Sequence, residues 1–596
     1  MKTIKKLLYL LTPGERKRVG LLMLMIMIMA LLDMAGVASI MPFMAIMVNP
    51  GFIESNSIIK GMYDLSLIFG VENKDQFLFA SGILVFLLLI ISLSFKAFTI
   101  YFQTRFIQLR EHSIGKRLVE GFLHQPYIWF LNQHSAELGK TVLSEVSFVV
   151  GKGLLPMINL IAQSTVTIAL LILIISTNLK LGIIIIFTFG LSYILVYTIT
   201  RNLLNRIGEQ RLKANELRFN TVIESFGAIK EIKVAGLEKI FINKFSNPSL
   251  ISASHTATSQ IISHIPRFAL EAVAFGGMLL VILFLVSKSG TFLDAVPIIA
   301  LYAFAGYRLM PALQQIFSSV AQMRFVGPSL DKLCSDLKNL QLSNINEDHN
   351  TMEVKNSLSL ENIYFNYPNS SRIALKNINL KIPARSIVGL AGVTGSGKTT
   401  LIDIILGLLQ PNEGKIKVDD KFIDQKNFRA WQQSIGYVPQ QIFLSDDTLT
   451  ANIAFGVNPK DIDLKAVQEA AKIANLHEFI NKDLPLKYDT LIGERGIRLS
   501  GGQRQRIGLA RALYHKPKIL IFDEATSALD NLTEDQVMQA VQNIEKEMLI
   551  IMIAHRLSSL KQCDIIYVLE RGELKSKGKF EELIKTNSIF KSLENK

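Results

Sequence analysis

The chain has 596 residues, 49% of them hydrophobic and only 19% charged, against about 25% charged in an ordinary soluble domain, which excludes a disordered chain and a typical soluble enzyme. Lys and Arg outnumber Asp and Glu by 64 to 50, a net charge of +14, which in so apolar a chain points to positive cytoplasmic loops and not to a nucleic-acid partner. The two cysteines, Cys334 and Cys563, lie in no paired motif, so neither a disulfide framework nor a zinc cluster is expected.

In chain order, residues 1–11 mix lysines with leucines, as in a helix lying on a membrane surface. Thr12, Pro13 and Glu15 then read as a capping box that opens the next helix. Apolar runs follow at 19–48, 77–102, 153–176, 181–200 and 268–286, with a weaker one at 291–319. A bilayer core about 30 Å thick takes about 20 apolar residues in a helix, so six transmembrane helices are expected. The first run is too long for a signal peptide. Lys and Arg concentrate before the first run, after the second and after the fourth, which places both termini in the cytoplasm.

The cytoplasmic segments 103–152 and 201–267 are too long to be structureless. Each is expected to continue a membrane helix into the cytosol and turn back through a short crosswise helix, near 125–132 and 225–234. The one sizeable outer loop, 49–76, has an amphipathic stretch at 57–69.

Asp33, Lys96, Glu271 and Arg308 fall inside apolar runs, and Arg267 near an edge. Charges in such places serve function or pair with one another, for example Glu271 with Arg308. The sharper alternative has Lys96, Arg267 and Arg308 lining a basic cavity for a lipid diphosphate, because arginine holds phosphate in a fork. Asn159 and Gln163, one turn apart, suit interhelical hydrogen bonds.

The fold class is therefore an α-helical membrane domain with long cytoplasmic extensions over 1–335, a polar linker at 336–356, and an α/β phosphate-loop nucleotide-binding domain over 357–596. In the last of these, Gly392, Val393, Thr394, Gly395, Ser396, Gly397, Lys398 and Thr399 fit G-x-x-x-x-G-K-[ST], between a strand-like run and an apolar helix beginning at Thr400. The glycines let backbone N–H groups close around phosphate oxygens, and the helix N-terminus adds a favourable dipole. Lys398 is expected on the β- and γ-phosphates and Thr399 on Mg²⁺. The apolar run from Lys518 ends in Asp523, suited to Mg²⁺, and Glu524, suited to polarising an attacking water.

With these residues in place, the chain resembles the ATP-binding cassette (ABC) transporter superfamily. Leu499 to Gln503 reads Leu-Ser-Gly-Gly-Gln, the signature motif of that family. Tyr367 matches the aromatic that stacks on adenine, and Gln440 the glutamine that senses Mg²⁺ and the membrane domain. Ser527 to Asp530 matches the loop at the dimer interface, and His555 the switch histidine at the γ-phosphate. The segment from Thr490 through Glu494 is similar to a loop found in exporters. The resemblance implies that Ser500, Gly501, Gly502 and Gln503 hold the γ-phosphate of ATP bound to a second cassette. Six spans ahead of one cassette resemble an exporter half-transporter acting as a homodimer, although a different partner chain stays open. No peptidase domain precedes the membrane part, which argues against exporters that mature leader peptides.

The segments around Arg267 and around Arg308 to Pro311, with the outer-loop helix, are similar to the lipid-linked oligosaccharide flippase branch. Gln314 and Gln315 stand where that branch tends to keep a further basic residue. A lipid-linked oligosaccharide flippase of a bacterial inner membrane is thus one expectation. A general exporter of lipids, drugs or peptides and a non-pumping ABC ATPase are the others. ATP and Mg²⁺ are expected in all three.

Overall fold

The computed structural model describes residues 2–591 except 69, 178, 269–270, 273–275, 277–278, 280–282, 284–291, 341–350, 369, 425, 494–495, 525–533, 535–538, 540–547, 554–556 and 588–589. The chain divides into two compact units, Met1–Gln125 with Asn132–Ser343, and Pro126–Leu131 with Asn344–Lys596.

The described part of the first unit is helical. Thr12 caps the helix Pro13–Ala38: its Oγ accepts from the Glu15 amide at 3.3 Å, and its own amide donates to Glu15 Oε2 at 2.9 Å. This is the expected capping box, and it satisfies two N–H groups that a helix start leaves without partners. The preceding helix, Lys2–Leu10, is amphipathic as expected, and its apolar stripe faces protein. Leu7 and Leu10 are fully buried in protein, and Lys6 binds Asp331 of the helix Gly327–Asn339 at 2.6 Å. An amphipathic stripe buries its leucines wherever apolar surface is offered, and here other helices offer it.

The helix Lys74–Leu123 has 50 residues and Leu179–Gly227 has 49. At 1.5 Å per residue each is about 75 Å long, far beyond the bilayer core. Short helices lie at Tyr127–Phe130, within the first stretch expected to turn crosswise, and at Ile229–Ala235, which passes the end of the second by one residue. Ser57–Leu67 forms the outer-loop helix, N-capped by Asn56. By length and composition, three helical stretches among the described residues are apolar enough to span a membrane: Pro13–Val48, Lys74–Leu123 and Ser135–Ser176. The fourth expected run lies within Leu179–Gly227 and the sixth largely within Phe292–Phe325, whereas most of 268–286 lies outside the described residues.

Polar pairs tie these helices together. Glu145 accepts from Arg211 and from Asn215, each at 2.7 Å, and the Arg211 guanidinium sits 3.7 Å from the centre of the Phe148 ring. Arg110 pairs with Glu15. At Gly208 the helix passes so close to Phe325 that a Cβ there would stand 2.3 Å from the Phe325 carbonyl oxygen.

The second unit is α/β. Strands β1 (Ser357–Asn366), β2 (Ile373–Pro383), β4 (Glu413–Val418) and β5 (Lys421–Phe422) form an antiparallel sheet in the order β2-β1-β4-β5. Strands β3 (Ile387–Ala391), β6 (Ile435–Val438), β7 (Ile519–Asp523), β8 (Leu549–Ile553), β9 (Ile565–Glu570) and β10 (Glu573–Gly578) form the other, ordered β10-β9-β3-β8-β7-β6. Five of its strands run parallel, and β3, β7 and β8 are buried along their whole length. Continuous apolar runs are what a parallel sheet covered on both faces demands. Ile128, from the six-residue piece Pro126–Leu131, packs on the core built from the faces of both sheets.

Candidate nucleotide site and intramembrane charge cluster

Strand order brings distant motifs side by side. The parallel neighbours β3, β8, β7 and β6 lead at their carboxyl ends into the Gly392–Thr399 loop, toward His555, into Asp523 and Glu524, and toward Gln440. Ligands of open α/β sheets bind at this edge. His555, Glu494 and the loop Ser527 to Asp530 lie outside the described residues.

The loop after β3 needs its glycines. Gly397 has φ +104° and caps the helix Lys398–Ile405, and a Cβ there would meet Leu375 at 2.8 Å. Within the loop, Lys398 Nζ donates to the carbonyls of Gly392 at 2.7 Å and Val393 at 3.2 Å. Burial pushes the Lys398 amine down, and the negative charges of Glu524 and Asp523 oppose that shift. Ser396 Oγ is buried without a hydrogen-bond partner, while Thr399 is exposed. A loop with left-handed glycines, a tethered lysine and an unsatisfied buried hydroxyl fits a phosphate chain.

Across the sheet edge, Glu524 has φ +52°, and Gln440 Nε2 donates to its Oε2 at 2.6 Å. Asp523 accepts from the Tyr437 hydroxyl at 3.2 Å, and burial first, then the negative charge of Asp523, raises the Tyr437 phenol. Tyr437 was missed from sequence alone, and its only signal was its place in the strand leading to Gln440. Thr399 and Asp523 supply the oxygen donors that Mg²⁺ prefers, alongside substrate phosphates. Tyr367 shares a 3.0 Å hydrogen bond with Thr400 and meets Phe365 edge to face, so it is fixed beside the loop. Ser500, which is exposed, caps the helix Gly501–Tyr514 in a capping box with Gln503, and the half-buried Gly501 and Gly502 bring their N–H groups to that helix start.

Of the three basic residues expected to line one cavity, two are brought together. Lys96 Nζ lies 3.7 Å from Asp33 Oδ2, and Arg308 Nη1 3.1 Å from Asp33 Oδ1. Arg267 instead binds Glu271, four residues further along the chain, at 2.6 Å. The anticipated pairing of Glu271 with Arg308 is thereby replaced by two other pairs. Three helices converge at Asp33, whereas Glu271 has a cation four residues away in sequence. Arg267, Glu271, Met310, Pro311 and Gln314 line a separate small cavity of about 50 Å³. Asn159 accepts a hydrogen bond from Gln103 of another helix, as interhelical glue does.

A phosphate loop on a parallel sheet, followed across the sheet edge by a carboxylate pair and joined in one chain to long apolar helices, defines an ATPase built onto a membrane domain. Residues 23–311 match the ABC transporter transmembrane region and residues 375–527 match the ABC transporter domain, and the chain belongs to the ABC transporter superfamily. It is 29% identical over 478 residues to the ATP-dependent lipid A-core flippase of Cupriavidus pinatubonensis, covering 80% of each chain. It is also 29% identical over 445 residues to a putative export ATP-binding/permease protein of Rickettsia bellii, covering 73% of this chain and 75% of that one. A solved bacterial Atm1-family ABC exporter with ATP bound has the same fold, with a TM-score of 0.78, 22% identity and 97% of each chain covered. The chain is thus an ABC exporter whose ATP hydrolysis is coupled to transport.

Proposed function

We infer that the exporter moves an anionic amphipathic lipid, a lipid-linked oligosaccharide, out of the cytoplasmic leaflet of a bacterial inner membrane. The observation that carries this reading is the pair of cations Lys96 and Arg308 meeting on helices of the membrane unit, in a chain that aligns over four-fifths of its length with proteins named lipid A-core flippases. Two copies, each with a membrane domain over 1–335, a linker at 336–356 and a cassette over 357–596, form a homodimer with both termini in the cytoplasm. Each nucleotide lies between the Gly392–Thr399 loop of one copy and Ser500 to Gln503 of the other.

In this reading Tyr367 stacks on adenine, and Lys398 leaves the loop carbonyls for the β- and γ-phosphates. Thr399, Gln440 and Asp523 would hold Mg²⁺, which when bound neutralises charge developing on the phosphates. Glu524, oriented by its hydrogen bond from Gln440, polarises water toward the γ-phosphate, and His555 contacts that phosphate. Loss of the γ-phosphate removes the anion that Ser500 and the Gly502 amide hold, and the sandwich opens.

The test is ATPase activity in proteoliposomes with and without a polyprenyl-diphosphate oligosaccharide, using Glu524→Gln as the blank. Stimulation that disappears in Arg308→Ala supports the flippase. A healthy basal rate with no stimulation moves the assignment to a general exporter of lipids, drugs or peptides.

A further inference from the structure

Tyr437 has none of the roles assigned above, yet it holds one of the residues that do. It stands on β6 opposite Ile521 of β7. Side chains alternate along a strand, so Asp523, two residues beyond Ile521, emerges on the same face as Tyr437, and an aromatic side chain spans that diagonal. The phenol donates to Asp523 Oδ2 at 3.2 Å, while the half-buried ring packs against the core that includes Ile519 and Ile521. Three residues further on, Gln440 donates to Glu524. One strand end therefore grips two adjacent carboxylates, each by a hydrogen bond.

A carboxylate at a strand end can turn about its last bond. Mg²⁺ demands near-ideal octahedral geometry, so a ligand that turns costs affinity. A phenol stops the rotation without cancelling the charge. A lysine in its place would set a second cation beside the metal, and a phenylalanine would fill the same space and hold nothing. Burial and then the negative charge of Asp523 push the Tyr437 phenol up, so it keeps the proton it donates.

We propose that Tyr437 is a positioning residue for the Mg²⁺ site: its hydroxyl fixes the rotation of the Asp523 carboxylate, which then meets the metal preoriented and at full negative charge. Tyr437 thereby favours Mg²⁺ over Ca²⁺, whose oxygen ligands are arranged more flexibly. This rests on the Mg²⁺ placement given above and adds the residue that sets the affinity and selectivity of that site.

The experiment uses the full chain in nanodiscs with a stoichiometric amount of the non-hydrolysable analogue AMP-PNP, so that no turnover enters. Mn²⁺, which takes the same oxygen ligands, is titrated in, and bound metal is read from loss of the free-ion paramagnetic resonance signal. Mg²⁺ and Ca²⁺ are then ranked by competition. Tyr437→Phe is expected to raise the metal dissociation constant about tenfold, the lower end for losing a hydrogen bond behind a metal-ligating side chain. It should also narrow the preference for Mg²⁺ over Ca²⁺, and leave AMP-PNP affinity in EDTA and the melting temperature where they were.

Metal binding by folded Tyr437→Phe as tight as that of wild type overturns the inference. An equal loss of AMP-PNP affinity in EDTA also overturns it, because that is what disturbed packing produces. Asp523→Asn separates the two levels. If it weakens Mn²⁺ binding and Tyr437→Phe does not, the Mg²⁺ placement stands and the positioning role falls. If Asp523→Asn binds Mn²⁺ as tightly as wild type, the placement fails and the inference with it. Should Tyr437→Phe not fold, Tyr437→Leu, which also lacks the hydroxyl, is read in the same way.

Discussion

Gln440 and Glu524 are 84 residues apart in sequence, yet the amide of one donates to the carboxylate of the other at 2.6 Å. Parallel pairing of β6 with β7 makes the meeting possible, because both side chains follow the same end of adjacent strands. The hydrogen bond orients the carboxylate while the left-handed backbone at Glu524 turns it off the strand.

Glu524→Gln keeps the size of the side chain and removes its charge. ATP turnover should fall at least about a hundredfold, the lower range for a positioned general base, while nucleotide affinity is retained. Steady-state ATPase and fluorescent-nucleotide binding on one preparation check this, and retained hydrolysis would remove Glu524 from the role assigned to it.

Lys398→Ala deletes a cation that is buried and already tied to two loop carbonyls. Charge-assisted hydrogen bonds are the strong ones, so ATP affinity should drop at least about tenfold. Calorimetric titration with ATP measures it, and an unchanged dissociation constant would contradict the placement of the phosphates.

Asp403, on the helix after the phosphate loop, has its carboxyl pushed up to about 6 by burial and then by the negative charge of Asp523. Its folded value lies above its unfolded one, so the folded state holds the proton more tightly. Stability contributed by the protonated form is present below pH 4 and is lost as pH rises toward 6. Asp403→Asn should therefore be more stable than wild type at pH 7, with the advantage growing between about pH 4 and 6 and flat above. Thermal melts across that range test it, and a difference independent of pH would point to packing instead.

Glu145 sits between Arg211 and Asn215 with both carboxylate oxygens engaged. Glu145→Ala leaves the buried Arg211 guanidinium without its counter-charge, at a cost of about 3–5 kcal/mol. The expected result is a clear fall in melting temperature of the detergent-solubilised protein, and Glu145→Gln should recover part of it because it still accepts from Asn215.

Much of the cassette was legible because its chemistry is local. A strand, a glycine loop and a helix lie in succession from Ile387 to Ile405, and the capping boxes at Thr12 and Ser500 are complete within four residues. Partnerships between helices were not legible. Asp33 and Arg308 are separated by 275 residues, and no periodicity tells which of several intramembrane charges will face one another. Apolar patterning showed that Leu7 and Leu10 need covering but not that protein would cover them. The wide π-type turns at Thr141–Glu145 and Val150–Leu154 also had no clear signature, since they lie in a stretch that reads as ordinary helix.

The piece Pro126–Leu131 belongs to the same compact unit as the cassette, although more than two hundred residues separate them in the chain. A turn between two helices of the first unit thus completes the packing surface of the cassette core. A fragment beginning at Asn344 would leave bare the apolar surface that Ile128 covers. It would tend to self-associate, and supplying residues 126–131 in trans as a peptide, or grafting them through a linker, should restore a monodisperse species.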